Sequence, residues 1–67
     1  MRLITLETST GSEHIINTDH ISSIELETNN VLVVMSNGRV IRTKFTDVYH
    51  AADYVQRASS HSFTGTI

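Results

Sequence analysis

Four histidines, seven carboxylates and five basic side chains are the groups in these 67 residues that could do chemistry. Asp19 beside His20, with Glu25 and Glu27 following in "NTDHISSIELE", has the residue types of an acid/base site. A catalytic histidine needs a carboxylate to orient it and a nucleophile or water in reach. Neighbouring side chains on extended backbone point to opposite sides, which separates Asp19 from His20. Asn17 and Asp19, two apart between β-rich runs, instead have the pattern of an Asx-type turn, in which a side-chain oxygen bonds backbone just ahead. The motif reads as a turn, with no catalytic or metal role.

His14, His20, His50 and His61 do not fall at His-x-His or His-Glu-x-x-His spacing, although His14 and His20 could converge across a strand pair. There is no cysteine, so neither a disulfide nor a thiolate metal site is available. Gly11, Gly38 and Gly65 stand singly and form no phosphate loop. The serines lack a nucleophile-elbow context. We therefore expect a non-enzymatic protein without cofactor or metal.

The basic residues Arg39, Arg42 and Lys44 form the candidate anion site. Arg42 and Lys44 share one face of a strand, and Arg39 points the other way. They could hold a nucleotide-like anion, with neighbouring subunits contributing. Weak nucleic-acid binding is a third reading, disfavoured by a net charge of −2 and by aromatics few in number.

These side chains must be placed by short elements. "RLITLET" (2–8) alternates as a strand, "STGS" turns, and "EHIIN" (13–17) returns as a second strand. "HISSIELE" (20–27) alternates at its end, but Ile21 is out of phase, which predicts a bend or bulge near Ser22. "VLVVMS" (31–36), Asn37-Gly38 and "RVIRTK" (39–44) form a hairpin whose two-residue turn sets Met35 opposite Val40 and Val34 opposite Ile41. Thr46 is the expected cap of a helix over 47–58, with Val48, Ala51, Ala52 and Val55 as its apolar stripe and Phe45 stapled to its first turn. Residues 59–67 read as a flexible polar tail.

The order predicts one α+β domain over 1–58: an antiparallel five-stranded meander, open to strong curvature, with one C-terminal helix packed on it. A chain this short has a thin stability margin. In the expected register, Leu32, Val34 and Ile41 lie under the helix. Val31, Val33, Met35 and Val40 then form a second apolar face, the candidate interface. Left in water it would forgo about 1.5–3 kcal/mol per large side chain. The expected remedy is a homo-oligomer, at least a dimer, through that face or an exposed strand edge; otherwise the sheet must close on itself as a small barrel. The longest apolar run, Val31–Met35, cannot span a bilayer, and no secretory signal opens the chain. No membrane insertion and a cytoplasmic location are the expectations.

With its elements so placed, the chain resembles the small FlbD/SwrD-type flagellar proteins over residues 2 to about 58. "LITLETSTG", "NTDHISSIE", "VLVVMSNGRVI" and "FTDVYHAADYV" follow that family's layout. Its members tend to carry "LTRLNG" at the first turn and an acidic segment before the helix, where this chain has "TLETSTG" and "KFTDV". The resemblance implies a cytoplasmic, non-enzymatic accessory protein near a flagellar motor. The pattern "ISSIELE…VLVVMSNGRVIRT" is also similar to part of the LytTR DNA-binding domain, without that domain's basic loops. From residues and resemblance together, the expected function is a small module that binds a protein partner as a homo-oligomer.

Overall fold

In the computed structural model, which describes residues 2–61, alternating aliphatic runs form strands and the single run of helical spacing forms a helix. The strands are β1 (Leu3–Glu7), β2 (Glu13–Asn17), β3 (Ile21–Glu27), β4 (Asn30–Met35) and β5 (Val40–Arg42); the helix is α1 (Val48–His61). The class is α+β, as expected. The strands are not one meander, however. They divide into a two-stranded sheet, β1–β2, and a three-stranded sheet, β3–β4–β5, each antiparallel.

The division falls between Asn17 and Ile21. There the backbone makes a turn of 3₁₀ helix, Thr18–His20, with the Asn17 side-chain oxygen accepting from the Asp19 amide at 3.0 Å. This is the Asx turn that the sequence implies, and it stops β2 from running straight into a partner of β3. One seam joins the sheets at their other ends. Thr8 bridges Thr43, the Ser9 amide donates to the Arg42 carbonyl (3.0 Å), and the Lys44 amide donates to the Glu7 carbonyl (3.0 Å).

The bulge expected near Ser22 is present: Ile21 faces Met35 and Ser23 faces Val34, which leaves Ser22 as the extra residue. The extra residue brings Ile21 back to the inner face with Ile24, and both pack against the core.

The β4–β5 hairpin departs from expectation by one residue. Val33 faces Ile41 and Val34 faces Val40. The loop holds three residues, closed by the Gly38 amide on the Met35 carbonyl (2.9 Å) and the Met35 amide on the Arg39 carbonyl (2.8 Å). Gly38 alone takes the positive φ, +90°, while the Asn37 side chain accepts from the Arg39 amide at 2.9 Å. This is a type I turn followed by a glycine bulge, the next commonest hairpin after the two-residue kind. A slip of one residue exchanges the faces of a strand. Ile41 stays inward and Val40 outward as expected, so β4 is the strand exchanged: Val31, Val33 and Met35 turn inward with Ile41.

The core follows from that exchange. Ile4, Leu6, Ile16, Val33, Met35 and Ile41 are buried together, with Ile21, Ile24, Phe45, Val55 and Ala58 packed around them. Each sheet thus turns its inner face toward the other, and α1 packs on β1 and β3. Asp47, not Thr46, caps the helix: its carboxylate accepts from the Tyr49 amide at 2.9 Å. The inward stripe is Val48, Ala51, Val55 and Ala58; Ala52 is exposed. Phe45 meets the second turn rather than the first, its ring tilted against Tyr54 at 5.5 Å between centroids. The helix also runs three residues past Ala58. Of the expected tail, residues 62–67 lie outside the described part.

The β3–β4 connection is a two-residue turn, Thr28-Asn29, in which Thr28 has φ +58°. A β-branched side chain is strained in the left-handed region, whereas glycine is at ease there. Thr28→Gly should raise stability by roughly 1 kcal/mol, the released strain outweighing glycine's extra entropy cost. A thermal melt of this variant at or below the parent temperature would argue against the strained turn.

Candidate functional site

The structure redistributes most of the groups singled out above. Val31, Val33 and Met35 are not an outer face. They line the core, with Val31 and Val33 wholly buried, because the curved sheets enclose the side of β4 that the expected register left open. Val40 is the one member of the expected interface that is exposed, at 55%. On the same outer side Leu32 is buried, placed by the register between Glu25 and Arg42.

Two of the three candidate anion ligands already have partners. Arg42 pairs with Glu27 at 3.3 Å across β4, and Lys44 pairs with Glu7 at 2.9 Å. Both pairs are exposed, so each contributes little stability. Arg39 makes no ion pair among the described residues. The Asn37–Arg39 hydrogen bond fixes its backbone at the end of the hairpin, and its side chain borders a cleft.

That cleft, about 490 Å³, lies between β2 and the β4–β5 hairpin. His14 and His20 both line it. They share its wall, His14 from β2 and His20 from the 3₁₀ turn that follows it. His14 stands on the inner side of β2, opposite the buried Leu6, and is half-buried. His20 ends the 3₁₀ turn; its carbonyl accepts from the Ser36 amide at 2.7 Å, and its Nδ1 lies 3.4 Å from the Ser36 hydroxyl. A second, shallower cleft of about 270 Å³ runs between the β1–β2 turn and β5, and it shares His14, Arg39 and Ile41 with the first. His50 is elsewhere, on α1, 3.5 Å from the Asp47 carboxylate. His61 ends the helix, and its side chain is not described. Among the described residues no group of three metal-ligating side chains assembles.

The acidic side chains lie on other surfaces. Glu7 and Glu13 face each other across β1–β2 and border a cleft of about 600 Å³ beside α1, with Phe45 and Tyr54 in its wall. Close to this cleft is an exposed apolar patch that sequence reasoning missed. Leu3, Ile15 and Tyr54 are three of the six large apolar side chains exposed among the described residues, and they gather around Thr5. Ile15 is the cross-strand partner of Thr5 and is 71% exposed. Leu3 lies two residues away on the same face, and the Tyr54 hydroxyl donates to the Thr5 carbonyl at 2.5 Å. The alternation of "LITLE" and "EHIIN" shows which face each residue takes, but only the closure of the sheets shows which face is left outside.

Among the described residues no helix is long and apolar enough to cross a membrane. Compared with protein families, with curated proteins and with solved structures, the chain matches none.

Proposed function

We propose that this protein is a small, non-enzymatic interaction module that works as a homodimer and presents itself to a protein partner in that form. The observation that supports the reading is the gathering of Leu3, Ile15 and Tyr54 around Thr5 on the outer face of β1–β2. The core accounts for the apolar residues of β4, so they no longer supply a reason for self-association; this face does. Burying a large aliphatic side chain contributes about 1.5–3 kcal/mol. A two-fold axis through the face counts each such side chain twice, because the same patch serves both copies. The face is neutral at its centre, with Glu7 and Glu13 at one end, so a two-fold arrangement can keep the carboxylates of the two copies apart. A cytoplasmic accessory role, of the kind the flagellar resemblance implies, is compatible with such a module and rests on that resemblance alone.

Sedimentation of the full chain at micromolar concentration tests the proposal. The parent should sediment as a dimer. Ile15→Glu should give a 7.5 kDa monomer that keeps its far-ultraviolet spectrum, since Ile15 contributes nothing to the core. Val40→Glu, on the opposite outer surface, should remain dimeric. A parent protein that stays monomeric across that range would end the proposal.

A further inference from the structure

The two clefts that meet at His14 and Arg39 have a composition unlike the rest of the surface. The chain carries seven carboxylates against five basic residues, yet no carboxylate lines either cleft among the described residues. What lines them is two guanidiniums, two imidazoles, several hydroxyls and an apolar floor that includes Met35 and Ile41; Arg39 borders both clefts, whereas Arg42 borders only the smaller and is paired with Glu27. An acidic protein that keeps acids out of one concave region leaves a local positive potential there, and a cleft with apolar walls focuses it. The guanidinium is the residue type best shaped for a phosphate, since its fork of N–H donors matches two phosphate oxygens.

We propose that this junction binds a small organic phosphate of the nucleoside monophosphate class. Its phosphate lies between Arg39 and His14 and takes N–H donation from both. Its flat ring covers Met35 and Ile41 within the larger cleft, where His20 and Ser36 meet its polar edge. Arg39 is the anchor because, unlike Arg42 and Lys44, it has no carboxylate to displace. The phosphate position, between Arg39 and His14, lies on the inner and hairpin sides of β2; of the face proposed for dimerisation only Ile15 also borders the larger cleft, and neither proposal depends on the other.

Amide spectra of the full chain, titrated separately with adenosine 5′-monophosphate and with inorganic phosphate, test the assignment. Adenosine monophosphate should shift residues 14, 20 and 36–41 in a saturable manner, and phosphate alone should shift a subset more weakly. Arg39→Gln should weaken the nucleotide at least tenfold, whereas Lys44→Gln should change it less than twofold. Arg39 is exposed, so its replacement leaves the fold available for the measurement. No saturable shift with either probe, shifts centred on Lys44 or Arg42, or equal weakening by the two variants would overturn the site. Phosphate binding as tightly as the nucleotide would overturn the place given to the ring. Sedimentation of Arg39→Gln should still show the parent's association state, which separates failure here from failure of the dimer.

Discussion

Val33→Glu should abolish cooperative folding. Val33 is wholly buried on β4, with Ile24 beside it on one neighbouring strand and Ile41 on the other. A carboxylate at that position has no basic partner on the core face, and burying an unpaired charge costs several kcal/mol even after the surroundings relax. The lost valine burial adds roughly 1.5–3 kcal/mol. A domain of this size has on the order of 3–10 kcal/mol in total, so the substitution consumes most or all of it. Val40→Glu should instead fall within about 0.5 kcal/mol of the parent, because an exposed strand position solvates the charge. Melting curves of the two variants check more than burial. In a hairpin with a two-residue turn, Val40 would face Met35 and enter the core, and both variants would collapse. A folded Val33→Glu, or an unfolded Val40→Glu, would refute the observed arrangement.

How far the fold was legible in the chain depends on the range over which each feature is decided. The bulge at Ser22 and the Asx turn at Asn17 were readable because both are local: an out-of-phase isoleucine and a side-chain oxygen two residues from an amide determine them. The β4–β5 hairpin was readable as a hairpin but not in its register. Asn-Gly serves two turn types, and the choice rests on whether Asn37 itself takes a positive φ or bonds the Arg39 amide instead. Flanking alternation cannot decide, since "VLVVM" is apolar at every position and fits either face.

That ambiguity then spread to function. With Val31, Val33 and Met35 assigned outward, β4 demands an interface; with them inward, the exposed patch moves to Leu3 and Ile15. The meeting of His14 with Arg39 was equally illegible, because 25 positions separate them and only sheet closure brings them to one cleft. The ion pair of Lys44 with Glu7 depends on the same closure, and that of Arg42 with Glu27 on the register of the three-stranded sheet.

Thr43 is where that closure is held, and replacing it should be costly out of proportion to the change in shape. Thr43 is fully buried. Its hydroxyl donates to the Val31 carbonyl at 2.8 Å and accepts from the Phe45 amide at 3.2 Å, while its own amide also donates to Val31, at 2.9 Å. One side chain thus ties β4 to the segment that bridges β1. Thr43→Val keeps the volume and removes the hydroxyl. The Val31 carbonyl retains the main-chain donor, but the Phe45 amide is left without its acceptor in a partly buried position, and an orphaned group of that kind costs about 1–3 kcal/mol. Thr43→Ser makes the opposite trade: it keeps both side-chain hydrogen bonds and forfeits one methyl group, about 1 kcal/mol. Valine should therefore be the more damaging of the two, by a margin that lowers its melting temperature several degrees below that of the serine variant. Hydrogen exchange should locate the damage. The Lys44 amide, which donates to the Glu7 carbonyl across the seam, should exchange faster in Thr43→Val, while the Leu6 amide within β1–β2 should follow global stability alone. If valine proves equal or superior to serine, the sheets are held together by packing at this point and the hydrogen bonds of Thr43 are incidental to it.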